Sequence, residues 1–319
     1  MRSVGLVLHP VKPVHESVAA ILAAARDHPV RILARDSDRT RLPEQVHTVP
    51  DHAFAGEVDG LIALGGDGTM LGAMRLTAER PVPILGVNHG NLGFLAEIGP
   101  GELPAALVRL AEGDFTIERH ACLEASAKGA ELSTRFGFND VVLARAARTG
   151  GVSVDLWVNG VQYGYYRADA VVVATSTGST AYSYAAGGPI LSPSSDALVI
   201  TPVAPMSGIA RAVVLGAGDT VTLAVAADSA PIAVDVDGTA SASLDRGGEL
   251  SATLRRGAAE VVRLSATDHA HRSRVKLSLL DLPLRPGQLL ELIPPELRQR
   301  AHEAIARGEA ISTLSRYRR

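Results

Sequence analysis

The most constraining feature of the sequence is a glycine-rich run, GGDGT, at residues 65–69. It directly follows an apolar, strand-like segment, residues 59–64, and precedes a segment of helix formers, residues 70–79, that Pro81 ends. Glycine tolerates unusual backbone angles and lets other groups approach the main chain closely. The start of a helix adds free N–H groups and a partial positive charge. A strand, a glycine turn and a helix start in this order therefore predict an anion site, and phosphate fits it.

Asp67 stands at the centre of this run, where phosphates would repel its negative charge. A carboxylate fits there when it binds a metal or accepts a proton from an attacking hydroxyl. Two familiar phosphate motifs do not match. No lysine ends the run as in a Walker loop, and the glycine after Gly66 and Gly68 is Gly72, one place too late for the dinucleotide fingerprint. On the residues alone, Asp67 and Thr69 could also be helix-capping residues.

The order of the predicted elements indicates the fold class. In the first third of the chain strand-like and helix-like segments alternate, which predicts a parallel sheet with helices on its faces. After about residue 115 short β-rich runs separated by turn signals dominate. We expect an α/β N-terminal domain with a parallel sheet, residues 1–116, and a β-rich, sandwich-like second domain, residues 117–280. The remaining segment, residues 281–319, carries a helical pattern at 296–309 and is expected to pack back on the N-terminal domain.

Composition excludes several classes of protein. The formal net charge of the 319-residue chain is −3, which argues against a protein that coats nucleic acid or anionic membrane through bulk charge. Cys122 is the single cysteine, so the chain can form no internal disulfide and no cysteine-based metal cluster. No apolar stretch approaches the roughly 20 residues that a membrane helix needs. We expect a cytoplasmic protein that binds neither nucleic acid nor membrane.

A second cluster, residues 174–183 (ATSTGSTAYS), follows a strand-like run, residues 169–173. Its hydroxyl and backbone N–H groups would line a groove for a polar ligand, and Tyr182 offers a flat face for a ring. The alternative is a common serine- and threonine-rich turn. A serine hydrolase is disfavoured, because the cluster has no G-x-S-x-G motif and no histidine close by in the sequence.

Together these motifs resemble those of the NAD kinase family. That family carries GGDGT, then N-x-G-x-LGFL, then an Asn-Glu or Asn-Asp pair, then T-P-T-G-S-T-A-Y. Here the counterparts stand in that order at residues 65–69, 88–95, 139–140 and 175–182. GGDGT alone is weak, since diacylglycerol-type lipid kinases and phosphofructokinases have close relatives of it, whereas LGFL and GSTAY in this order are far more specific. The resemblance implies the NAD kinase and diacylglycerol kinase-like fold.

The resemblance also implies an activity and its residues. The activity is transfer of the γ-phosphate of ATP to the 2′-hydroxyl of the adenosine ribose of NAD, which gives NADP, with Asp67 as general base. The residues implied to bind the substrates are Gly66, Gly68 and Thr69 at the phosphates, Asn88, Phe94 on the adenine side, Asn139 and Asp140 at hydroxyl and amide groups of NAD, Asp169 near the nicotinamide, and Thr177, Thr180, Ala181 and Tyr182 along the dinucleotide. Mg²⁺ would be held mainly by the nucleotide phosphates, with no metal site of the protein itself. A homodimer or homotetramer is implied.

Several residues depart from the family pattern. Ser176 stands where T-P-T-G has proline, Ala170 where glycine usually follows the aspartate, and Met206 where histidine is frequent. These departures keep two alternatives open: a kinase of the same fold with a different acceptor, either a nucleotide-like metabolite or a lipid, or a non-catalytic dinucleotide-binding paralogue. Asp237 with Gly238 resembles a late D-G turn of the family but equally suits a plain hairpin turn.

Overall fold

The computed structural model describes residues 1–26, 28–90, 93–147 and 149–265. Residues Met1–Leu264 form one compact unit. The predicted C-terminal segment, residues 281–319, lies outside the described residues, as do residues 266–280 of the predicted second domain. In the described part of the chain, no helix combines the length and the apolar character needed to span a bilayer.

The helices of the described residues are α1 (His15–Ala25), α2 (Asp51–Glu57), α3 (Asp67–Leu76), α4 (Leu103–Glu112) and α5 (Tyr182–Ala185). The strands are β1 (Ser3–Leu8), β2 (Arg31–Arg35), β3 (His47–Val49), β4 (Gly60–Gly65), β5 (Pro83–Asn88), β6 (Thr116–Lys128), β7 (Phe136–Gly137), β8 (Asp140–Arg145), β9 (Val152–Val158), β10 (Val161–Ala168), β11 (Ala170–Thr175), β12 (Ala197–Val203), β13 (Ser207–Gly208), β14 (Val213–Gly216), β15 (Thr220–Val225), β16 (Ile232–Val236), β17 (Thr239–Leu244) and β18 (Glu249–Arg263).

The N-terminal half is a parallel sheet in the order β3-β2-β1-β4-β5 with helices on both faces. Side chains that alternate along β1 serve the two faces: Leu6 packs in a core with α1 and α4, and Val7 in a core with α2 and α3. The strand order reverses between β1 and β4. In open α/β sheets ligands bind at such a reversal, outside the carboxyl ends of the strands. The GGDGT run lies at that end of β4.

The β-rich half continues the same sheet. The long strand β18 pairs with β15 and β6 and, at Glu260 and Val261, in parallel with β5 of the N-terminal half. A second sheet, β14-β12-β11-β8-β16-β17, packs on the first, and apolar residues of both sheets share one core. This β-sandwich behind the α/β half confirms the predicted fold class. The boundary predicted between residues 116 and 117 falls at the first residue of β6, inside a sheet that runs through both halves.

Candidate active site

Asp67 is held in one orientation by two peptide N–H groups. It is the first residue of α3, and Gly66 precedes the helix. Its carboxylate accepts hydrogen bonds from the N–H of Phe94, 2.7 Å from Oδ2, and of Leu95, 3.0 Å from Oδ1. Gly93 makes this approach possible, because a Cβ there would collide with the carboxylate. Each carboxylate oxygen has a further lone pair, so Asp67 is oriented and still able to accept a proton.

The start of α3 offers donors to an anion. The first N–H groups of a helix have no partner within it. Thr69 is buried, and no hydrogen-bond partner reaches its Oγ1 from the residues that the structure describes. Gly68 is exposed, and a Cβ on it would meet no heavy atom within 4 Å. The N–H groups at the helix start that lack a partner within the helix, beside the exposed Gly68, suit a phosphate that approaches there.

A cleft of about 780 Å³ opens on one side of this helix start. Gly68 and Gly72, one helical turn apart, lie on its wall, and a Cβ on either would point into empty space. Four arginines also line it: Arg35, Arg41, Arg75 and Arg135. Arg35 and Arg41 both contact the carboxylate of Asp38, but each guanidinium has five N–H donors and so keeps donors for a ligand. The cleft therefore combines a flat strip of helix backbone with positive charge.

The loop after β5 is joined to the glycine run. Asn88 ends β5, and its Oδ1 accepts the N–H of Gly90 at 3.0 Å. The N–H of His89 donates to the carbonyl of Gly65 at 3.0 Å, and the Lys12 ammonium donates to the carbonyl of His89 at 3.2 Å. The segments that follow β1, β4 and β5 thus meet at the carboxyl edge of the parallel sheet. Residues 91 and 92 of the motif lie outside the described residues.

Asn139 and Asp140 are held by the buried carboxylate of Asp237. That carboxylate accepts the N–H groups of Phe138, Asn139 and Asp140 at 3.0, 2.7 and 3.2 Å. It also pairs with the guanidinium of Arg75 on α3 at 2.7 Å. Asp237 therefore links the helix of the phosphate site to the Asn-Asp pair, which lies in the other half of the molecule.

The environment of Asp140 favours its neutral form. Only 5% of the residue is exposed. Burial, followed by the nearby charges of Asp237 and Asp235, raises the pKa of Asp140 from an ordinary 3.8 to about 7. Near neutral pH its carboxyl group can therefore either donate or accept a hydrogen bond at a bound hydroxyl.

The loop after β11, residues 175–182, packs against the Asn-Asp pair. The Thr175 hydroxyl donates to the carbonyl of Phe138 at 2.6 Å, and the N–H of Thr175 donates to the carbonyl of Asn139 at 2.9 Å. A Cβ on Gly178 would collide with the backbone of Asn139, so only glycine fits. Tyr182 is the first residue of α5, and its side chain is exposed. The loop and the pair thus form one surface.

The other predicted residues of this loop are held locally. The Thr180 hydroxyl and N–H both donate to the carbonyl of Thr177, and the N–H of Ala181 donates to the carbonyl of Gly178. The Thr177 hydroxyl lies 3.2 Å from Nδ1 of His120. Thr177 is therefore connected to the large sheet, since His120 belongs to β6.

Asp169 is the predicted site residue that the structure does not bring to this surface. It precedes β11, whereas Thr175 ends that strand. Six residues of strand span roughly 20 Å. Asp169 instead pairs with Arg145 at 3.2 Å and is 41% exposed in its side chain.

Two of the departures from the family pattern, Ala170 and Met206, lie near the start of β11, at the end opposite the loop of residues 175–182. Ala170 is buried at the first position of β11, and Met206 lies exposed in the turn between β12 and β13. Ser176 is in the loop itself, but its hydroxyl donates to the carbonyl of Ser195 at 2.5 Å. This hydrogen bond restrains the loop at the position where the family's proline would restrict the backbone.

Sequence reasoning missed some residues that organise this site. Asp237 was left open between a hairpin turn and a family turn, and Arg75 was not singled out. Arg263 and Glu97, which form a buried ion pair at 3.2 Å, were also missed. Their signal was available, because each is a charged residue inside an apolar run, and a buried charge requires a partner.

Comparison with known proteins agrees with this architecture. The family model of the ATP-NAD kinase N-terminal domain matches residues 8–115, and that of the ATP-NAD kinase C-terminal domain matches residues 138–264. The chain is 35% identical over 297 residues to NAD kinase 1 of Streptomyces avermitilis, which covers 82% of both chains. It is 34% identical over 281 residues to the NAD kinase of Moorella thermoacetica, covering 87% of this chain and 89% of that one.

Solved structures show the same fold. Yeast NADH kinase, crystallised with NADH, has a TM-score of 0.79 at 22% identity and covers 90% of this chain and 89% of its own. An NAD kinase from Archaeoglobus fulgidus in complex with ATP has a TM-score of 0.67 at 21% identity, over 86% of this chain and 98% of its own. With both family models matched in order and similar relatives along most of its length, this chain belongs to the NAD kinase family.

Proposed function

We propose that this NAD kinase transfers the γ-phosphate of ATP to the 2′-hydroxyl of the adenosine ribose of NAD, with Asp67 as the general base. The 2′-oxygen forms a bond to the γ-phosphorus, and the bond from that phosphorus to the β–γ bridging oxygen breaks. The electron pair of the broken bond leaves with ADP, and the hydroxyl proton passes to the Asp67 carboxylate. The products are NADP and ADP.

The observation that carries this proposal is the fixed orientation of Asp67. Two N–H groups hold the carboxylate at the start of a helix whose other donors suit a phosphate. A phosphoryl transfer needs alignment more than covalent chemistry, because the attacking hydroxyl and the leaving oxygen must lie in line. A base that cannot rotate contributes to that alignment.

We assign ATP to the cleft beside α3. Gly68 and Gly72 leave the helix backbone open to close approach, which favours a flat group lying along the helix. Arg35, Arg41, Arg75 and Arg135 supply charge for the phosphates, and Thr69 lines the same cleft. The γ-phosphate would then reach the helix start near Asp67.

Mg²⁺ enters, in this proposal, as part of the MgATP substrate. Among the described residues no group of three or more histidine, cysteine, aspartate or glutamate side chains could hold a metal ion. The residues present therefore do not fit a resident metal site, and the ion is assigned to the nucleotide phosphates, where it neutralises charge.

We assign NAD to the surface formed by the Asn-Asp pair and the loop of residues 175–182. Asn139 and Asp140 would bind its hydroxyl and amide groups, and Tyr182 would stack on a ring. Thr177, Thr180 and Ala181 would follow the dinucleotide, while Asn88 and Phe94 would border its adenine side. Support comes from the packing of Gly178 on Asn139, which makes the loop and the pair one surface.

We further propose a homodimer or homotetramer in the cytoplasm. Val161, Tyr163 and Tyr165 of β10 expose large apolar side chains together, as an interface would require. Asp169 directly follows that strand and Met206 lies beside it, so both would lie at or near this interface. Sedimentation analysis of the wild type and of Tyr163→Ser tests the assembly; an unchanged oligomer in the variant rules out this face. Cell fractionation tests the location.

The reaction is tested by mixing NAD with MgATP and measuring NADP with an NADP-specific dehydrogenase. We expect NADP and ADP in equal amounts, and no transfer to an NAD analogue that lacks the adenosine 2′-hydroxyl. Phosphorylation of that analogue, or ADP release without NADP, would overturn the proposed acceptor.

A further inference from the structure

A buried arginine at the end of β18 joins two parts of the site. Only 6% of the Arg263 side chain is exposed, and 1% of that of Glu97. Arg263 Nη1 lies 3.2 Å from Glu97 Oε2, and its Nε donates to Glu118 Oε2 at 2.6 Å. Burying these charges is costly unless every partner is in place.

Arg263 makes two sets of contacts, which we call its first and second arm. The first arm connects it to Asp67 through Leu95. Arg263 Nη1 donates to the carbonyl of Leu95 at 3.1 Å. The N–H of the same residue, Leu95, donates to Asp67 Oδ1 at 3.0 Å. Glu97 reinforces this geometry by accepting the N–H of Leu264 at 3.0 Å. The guanidinium thus holds the carbonyl of Leu95, one peptide unit beyond the N–H that orients the Asp67 carboxylate.

The second arm leads to the loop after β11. Glu118 lies diagonally across the β6–β18 pair from Arg263, a separation that long side chains reach. Its Oε1 lies 3.3 Å from Nε2 of His120, an electrostatic contact without hydrogen-bond geometry, and His120 Nδ1 lies 3.2 Å from the Thr177 hydroxyl. Burial acts to raise the pKa of Glu118, but the contacts with His120 and Arg263 hold it well below its usual range. Glu118 therefore stays an anion between the two.

We propose that Arg263 is a positioning residue for phosphoryl transfer, which sets the Asp67 carboxylate through Leu95 and the acceptor loop through Glu118, His120 and Thr177. This inference rests on the proposed role of Asp67. The alternative is an ion pair that only stabilises the end of β18. The two differ in a measurable way, because a positioning residue acts through Asp67 and a merely structural one does not.

The first test is Arg263→Lys, which keeps the charge but lacks the planar fork whose separate nitrogens reach Glu118 and Glu97. We expect kcat to fall about 100-fold, as for a small misplacement of a reacting group. The KM for ATP should stay unchanged, since the arginine does not line the donor cleft. The matched control is Arg109→Lys: Arg109 donates to the carbonyl of Leu264, beside Arg263, and should leave kcat unchanged. A wild-type kcat in Arg263→Lys, or an equal loss in the control, overturns the proposal.

The second test repeats Arg263→Lys in an Asp67→Asn background. Residues that act as one unit are strongly non-additive, so we expect a further loss of kcat below about twofold, since the second arm acts on the KM for NAD. A second loss as large as the first shows a structural effect and overturns the inference, while the proposed function stands. Near-wild-type activity of Asp67→Asn alone overturns both.

Glu118→Gln covers the case in which Arg263→Lys does not fold. It leaves the Arg263–Glu97 pair and weakens only the second arm. We expect the KM for NAD to rise about tenfold while the KM for ATP stays constant, the size expected for one buried charged contact. An unchanged KM for NAD contradicts the proposal.

Discussion

Gly72 on α3 provides a test in which stability and activity change in opposite directions. Glycine inside a helix costs about 1 kcal/mol relative to alanine. A Cβ on Gly72 meets no heavy atom within 4 Å, and its φ is not in the left-handed region, so Gly72→Ala introduces no clash. We expect the variant to be more stable by about 1 kcal/mol, with an unfolding midpoint higher by roughly 2 °C.

The same methyl group should weaken ATP binding, because it points into the proposed donor cleft. Overpacking by one or a few carbon atoms typically costs 1–3 kcal/mol, which corresponds to a rise in the KM for ATP of about tenfold or more. Gly72→Leu should abolish activity at any practical ATP concentration, with the KM for NAD little changed in Gly72→Ala. Steady-state kinetics and thermal unfolding on the same samples measure both effects.

Gly56→Ala is the matched control. Gly56 lies in α2, is exposed, and a Cβ on it also meets nothing within 4 Å. Gly56→Ala should gain a similar stability, about 1 kcal/mol, without any change in the KM for ATP. If Gly72→Leu keeps a wild-type KM for ATP, the nucleotide does not lie along α3 and the assignment of the cleft is wrong.

Two more predictions concern the Asn-Asp pair. Asp237→Asn removes an anion that accepts three N–H groups and pairs with Arg75, so the free energy of unfolding should fall by about 3 kcal/mol. The KM of Asp237→Asn for NAD should rise more than its KM for ATP. The control is Asp219→Asn, at a surface turn, which should leave both KM values unchanged. The raised pKa of Asp140 means that the folded chain binds more protons than the unfolded chain between about pH 4 and pH 7, so its contribution to stability is lost as pH rises through that window. Asp140→Asn should remove up to about 4 kcal/mol of that pH dependence in denaturant titrations, and an unchanged slope contradicts it.

Local patterns predicted the parts of the site that are local in sequence. The structure forms a strand, a glycine turn and a helix at residues 60–76, within three residues of the predicted bounds. Short strands also follow residue 115, as expected, but β6 and β18 are long, with 13 and 15 residues. Gly257, with φ of 61°, interrupts the alternation of β18 beside two arginines.

Long-range partners could not be read from sequence patterns. Arg75 and Asp237 are 162 residues apart, and Asp237 has the same turn chemistry in a plain hairpin as in its observed role. Asp169 precedes β11 and the loop of residues 175–182 follows it, so the two lie at opposite ends of the same strand. Such relations depend on topology rather than on residue type.

The central claim is that the Asp67 carboxylate is the base, and the direct measurement is NADP formation by Asp67→Asn. We expect turnover to fall about 1,000-fold, within the range for loss of a general base, while calorimetry still detects NAD binding. Asp59→Asn is a close control, because Asp59 also accepts two peptide N–H groups, at 2.8 and 2.9 Å, but lies away from the site. Near-wild-type turnover in Asp67→Asn, or an equal loss in Asp59→Asn, contradicts the account.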